Sequence, residues 1–93
     1  MDFNPTARFR ACRQLASSDL GGEAVILNLQ DGKYYGLNPV GAAVWQWMDT
    51  PQSLHSLTSL LTARYQVDDS RARADLQLLI PSLLHRKLIE IVP

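Results

Sequence analysis

The sequence holds a single cysteine, Cys12, so no disulfide can form within the chain and no cluster of thiolates can hold a metal. Such sparing use of cysteine fits a reducing cytoplasm. Net charge is missing as well. Nine basic side chains balance nine acidic ones, which removes the general attraction to nucleic acid or to an anionic membrane. No apolar run approaches the ~20 residues of a membrane helix, and MDFNPTARFR lacks a basic segment followed by an apolar one. A soluble, unexported, cytoplasmic protein is expected. Catalytic patterns are equally scarce. His55 and His85 stand outside any HExxH or CxxC spacing and read as surface side chains. Gly21-Gly22 lacks the continuation of a phosphate loop, and Cys12, with no base placed beside it, reads as packing. No enzyme activity, metal or cofactor is expected.

What is present is the material of one core. Ninety-three residues at 46% hydrophobic content suit a single domain over 1–93, with residues 1–7, around Pro5, as a loose arm. RFRACRQL, Arg8 to Leu15, alternates weakly and reads as a first strand. ASSDLGG, Ala16 to Gly22, reads as a loop, and EAVILNL as a strand rich in branched side chains. Two registers are open for the turn that follows. A two-residue turn at Asp31-Gly32 splits the large aliphatics between faces. A three-residue loop, Gln30 to Gly32 with Gly32 left-handed, puts Val25, Leu27, Leu29, Tyr35 and Leu37 on one face and Tyr34 on the other with Ile26 and Asn28; this register is preferred.

Three helices follow. Asn38 caps the first and Pro39 occupies its first position, where the missing N–H costs nothing; Val40, Val44, Trp47 and Met48 form its apolar face, with Trp45 to the side. Ser53 caps the second, with Leu54, Leu57, Leu61 and Tyr65 at helical spacing. Asp68 caps the third, from Asp69 to about Arg86, whose inner face is Ala72, Leu76, Leu79, Ile80 and Leu83. Leu78 falls off that face, beside Arg71, Asp75 and Ser82, and Pro81 is expected to bend or divide the helix. LIEIV closes the chain as an extended tail. A winged-helix DNA-binding regulator would share this order of elements. Arg8, Arg10, Arg13, Arg71 and Arg73 are poor phosphate contacts, however, with zero net charge and Asp68, Asp69 and Asp75 beside the helical pair.

The run GGEAVILNLQDGKYYGLNPVGAAVWQWMD, followed by SLHSLTSLLTARYQVD and ADLQLLIPSLLHRKLIE, resembles the PqqD-like proteins, recognition elements of pathways that modify ribosomally made peptides. The likeness spans about Gly21 to Glu90. It rests on the Gly-containing turn, the aromatic pair and Leu-Asn, then Gly41 and Trp45, with Tyr65, Val67 and Asp75 also in place. The aromatic pair and the stand-alone length look most like the leader-binding proteins of lasso-peptide biosynthesis. Lys87, where the family commonly has Gly, and Pro81 depart from the pattern.

The resemblance implies an α+β, winged-helix-like fold, with a three-stranded antiparallel sheet packed on three helices. It further implies a non-catalytic role in which a precursor's leader peptide adds as a strand beside Lys33 to Gly36, over the third helix. A short strand with an unpaired backbone row invites such pairing. Lys33, Tyr34, Tyr35, Gly36, Asp75, Leu78, Leu79 and Ser82 are the expected peptide-binding residues. Tyr35 fits a core position as well as a groove wall. The expected partners are the leader and a processing enzyme, a leader protease followed by a cyclase; a radical-type modifying enzyme is the alternative.

Overall fold

A computed structural model describes residues 6–13, 15–21 and 23–92, with Asp19 and Leu20 described by their backbone alone. Most of the expected N-terminal arm, residues 1–5, lies outside that range. The elements run β1 (Arg8–Ala11), β2 (Leu15–Leu20), β3 (Glu23–Asn28), β4 (Tyr34–Leu37), α1 (Pro39–Trp47), β5 (Gln52–Ser53), α2 (Leu54–Arg64), α3 (Asp69–His85) and β6 (Ile89–Val92). The fold is α+β. Two three-stranded antiparallel sheets form, ordered β5-β1-β6 and β2-β3-β4, where one was expected.

The N-terminal reading needs two corrections. RFRACRQL is not one strand. Ala11 N–H donates to the Met48 carbonyl and Cys12 N–H to that of Leu88, which ties β1 to the C-terminal sheet before Leu15 opens β2 in the other. ASSDLGG is largely not a loop, because Leu15 to Leu20 pair residue by residue with Asn28 to Glu23. Its small polar side chains have little strand propensity; pairing across a two-residue connection, with Gly21 at φ 68°, overrides it.

The β3–β4 register also differs from both expected ones. Leu27 pairs with Tyr34 and Ile26 with Tyr35, leaving a four-residue loop from Leu29 to Gly32. Two side-chain carboxamide and carboxylate oxygens close it: Asn28 Oδ1 accepts from Gln30 N–H at 2.9 Å and Asp31 Oδ1 from Lys33 N–H at 2.8 Å. Gly32 is left-handed as expected, at φ 70°. The extra loop residue turns β3 over. Ala24, Ile26, Asn28, Tyr35 and Leu37 therefore face the core, whereas Val25 and Leu27 share the outer face with Tyr34, and Leu29 is exposed in the loop.

The helices follow the sequence more closely. Asn38 Oδ1 accepts from Gly41 N–H, Asp68 Oδ1 from Arg71 N–H, and Ser53 forms a reciprocal capping box with Ser56. Val40 is the exception on α1, being exposed while Gly41, Ala42, Val44 and Met48 are buried. Helix α3 is not divided at Pro81. Proline forfeits one hydrogen bond to the Gln77 carbonyl, but Ile80 and Leu83 on either side are fully buried and hold the helix in place. Phe9, Ile26, Met48, Leu57, Leu76 and Leu88 complete the core.

Candidate peptide-binding edge

Strand β4 ends its sheet, and its hydrogen-bond phase can be read from one contact. Asn28 N–H donates to the Lys33 carbonyl at 2.9 Å, so this facing pair is of the bonded type. Bonded and non-bonded pairs alternate along an antiparallel ladder. Tyr35 and Leu37 therefore bond to Ile26 and Ala24, while the N–H and C=O of Tyr34 and Gly36 point away from β3 toward the free side. The expected binding strand began at Lys33; the ordered strand is Tyr34–Leu37, and Lys33 spends its N–H on Asp31.

The two tyrosines do different things. Tyr34 is 71% exposed. Tyr35 is half-buried against the core; its hydroxyl donates to Asp31 Oδ2 at 3.2 Å, and the Arg86 guanidinium lies 5.6 Å from its ring centroid. Desolvation pushes the Tyr35 phenol above its ordinary range, and the hydrogen bond and charge of Asp31 add to this.

On α3, Leu78 is 78% exposed, Leu79 and Ser82 are half-buried, and Asp75 is exposed beside Arg71 at 3.6 Å. Asp75, Leu79, Ser82 and Arg86 follow one another at spacings of four, three and four, so they form one row along the helix. That row ends where Arg86 covers Tyr35. At this end a cleft of about 320 Å³ is lined by residues of the β3–β4 loop, Lys33, Tyr35, His85, Arg86 and Lys87. Asp75 lies ~16 Å up the helix axis from the junction, the length of a strand of about five residues. The structure thus joins Lys33 and Tyr35 directly to the end of α3. Asp75 stands at the far end of the row, and Leu78 lies to one side of it, one turn from both Asp75 and Ser82. Arg86 escaped the sequence reading; it could have been found by continuing the row from Asp75 three turns further.

Lys87 explains its own departure from the family pattern. Its φ of 58° is left-handed, Leu88 N–H donates to the Leu83 carbonyl and Lys87 N–H to that of Leu84, the double bond pattern that usually carries glycine.

A family model described as "Coenzyme PQQ synthesis protein D (PqqD)" matches residues 23–89, and the chain belongs to that family. Two solved structures are similar. One, described as TbiB1 in complex with the TbiA(beta) leader peptide, is 27% identical, with a TM-score of 0.79 over 87% of this chain and 94% of that one. The other, a lasso peptide synthetase B1 complexed with the leader peptide, is 25% identical, with a TM-score of 0.74 over 91% of this chain and 98% of that one. A comparison with curated protein sequences finds no match.

Proposed function

We propose that the chain is a non-catalytic adaptor that binds the leader of a ribosomal precursor peptide by strand addition to β4. The observation that carries this reading is the outward phase of Tyr34 and Gly36 at a sheet end, beside the α3 row that terminates on Tyr35. Membership of the PqqD family and likeness to two leader-bound structures support it. Backbone bonds from the edge give affinity, and Tyr34, Leu78, Leu79 and Ser82 select side chains. The whole chain acts as one domain, in the cytoplasm, and holds the core peptide for a partner enzyme, a leader protease and then a cyclase. Tethering raises the effective concentration of the core peptide, with no chemistry of the adaptor's own. No helix among the described residues is long and apolar enough to cross a membrane.

Amide hydrogen exchange tests the mechanism. On adding the leader of a precursor encoded beside this chain, the amides of Tyr34 and Gly36 should gain protection, while those of Leu54 to Arg64 change little. Protection confined to α2 would sink strand addition.

A further inference from the structure

A neutral chain can still be polar in its layout, and this one is. A cavity of about 580 Å³ between the two sheets is lined in part by Arg10, Arg13, Lys87 and Glu90, and it shares Asn28, Gln30 and Lys87 with the 320 Å³ cleft that holds Lys33 and Arg86. The two form one trough. Five of the nine basic side chains line it but only two of the nine acidic ones, Asp31 and Glu90, which leaves the trough at a formal +3 and the rest of the chain at −3.

Both trough carboxylates are already engaged. Glu90 Oε1 accepts from Arg10 Nη2 at 2.7 Å, and Asp31 accepts from Lys33 N–H and the Tyr35 hydroxyl. Among the described residues, no ion pair engages Arg13, Lys33, Arg86 or Lys87. Four basic residues therefore line the two adjoining recesses without a carboxylate of their own. Like charges gathered in a concave site raise the local potential and select anions.

The trough reaches β4, because it is lined by Tyr35 of that strand and by Lys33 just before it. A peptide strand added along Tyr34–Leu37 and continuing past Lys33 would pass beside the cleft that Lys33 lines. We infer that the trough is a second subsite of the adaptor, for an acidic stretch of the precursor adjoining the strand-forming segment. This inference rests on the leader-binding reading. Side chains of Asp or Glu would exchange water for charge-assisted bonds to Arg13, Arg86 and Lys87. The fit of arginine forks and a flexible lysine favours carboxylates presented along a chain over one compact ion.

Hexaglutamate peptide is the probe, followed by amide NMR shifts of the full chain at low salt. Saturable shifts are expected at Cys12, Arg13, Gln30 to Lys33 and Arg86 to Leu88. They should largely vanish in strong salt, and Arg13→Glu with Lys87→Glu should weaken binding at least tenfold. Both residues are exposed, so the double variant should fold. Shifts scattered over Arg8, Arg64 and Arg71 would overturn the proposal, as would a short DNA duplex saturating the trough at lower concentration than hexaglutamate. A leader peptide added to the wild-type chain separates the two readings. If Tyr34 and Gly36 gain protection while hexaglutamate leaves the trough unmoved, strand capture stands and the acidic subsite falls. If those amides stay unprotected, the adaptor reading itself falls.

Discussion

Leu76 and Leu78 sit two residues apart on α3, and the first is fully buried while the second is 78% exposed. The same residue type on one helix serves two surfaces. Ala72, Leu76, Ile80 and Leu83 are buried and bind the helix to the body, whereas Asp75 and Leu78 are exposed and Leu79 and Ser82 are half-buried. The difference teaches that α3 has one face fixed by folding and one that the fold leaves exposed; an exposed leucine becomes informative when its neighbours on the helix line a candidate groove.

The sharpest way to break that comparison is to put the same charge on both faces. Leu76→Glu forces a carboxylate into a packed core and should cost about 4 kcal/mol or more, enough to unfold a domain this small. Leu78→Glu should change stability by no more than about 0.5 kcal/mol. Its effect should appear in leader affinity, falling roughly tenfold to a hundredfold, the equivalent of losing about 1.5–3 kcal/mol of apolar burial. Circular dichroism melts and a fluorescence titration with leader read the two outcomes. Melting of the Leu78→Glu variant would show that the outer face also serves the fold.

Strand β4 offers the same contrast at the level of single backbone groups. Proline at Tyr34 removes an N–H that faces outward, so the hairpin keeps its ladder, and leader affinity should fall about tenfold, the worth of one interfacial hydrogen bond. Proline at Tyr35 removes an N–H bonded to Ile26 and should destabilise the hairpin whether or not leader is present. Equal effects on stability from the two variants would reverse the deduced hydrogen-bond phase.

The helical half of this picture was legible in the sequence, because caps such as Asn38-Pro39, Ser53 and Asp68 are local signals and Leu78 stands off a periodic face. The sheets were not. β2 has the composition of a loop and becomes a strand only by pairing, and β1 and β6 meet from opposite ends of the chain. The register failed for a physical reason: apolar residues occur on both faces of β3, so matching the largest ones chose the wrong side. The deciding bonds come from Asn28 and Asp31, polar side chains whose choice of partner no periodicity reveals. The proposed site was accordingly half readable. Candidate residues could be proposed from the sequence, but the phase of β4 and the continuation of the row to Arg86 needed the fold.

Lys87 tests whether the C-terminal end of α3 carries strain. A non-glycine residue in the left-handed region costs roughly 1 kcal/mol, so Lys87→Gly should raise stability by about that amount in urea unfolding. The same change removes one unpaired cation from the trough, so hexaglutamate binding should weaken as the protein becomes more stable. A variant that gains stability with no loss of peptide binding would assign the lysine to neither purpose.

The smallest expected effect compares the two sheets by titration, through Cys12 after β1 and Tyr35 on β4. Burial raises the Cys12 thiol above its ordinary value of 9.0, with Glu90 adding to the shift and Arg10 opposing it, and Tyr35 lies above its ordinary 10.0 for the reasons given earlier. Both groups lose a proton more readily in the unfolded chain. Their contribution to stability is therefore complete below the unfolded values and is lost as pH rises through the folded ones. Urea midpoints should stay level in this respect through neutral pH and decline above about pH 9. Cys12→Ala should remove the earlier part of that decline and Tyr35→Phe the later part. The Tyr35 part has a structural signature as well, because ionisation turns the hydroxyl that donates to Asp31 into a second anion beside it. If the alkaline decline is unchanged in Tyr35→Phe, the Tyr35–Asp31 contact does not hold the β3–β4 loop against the core.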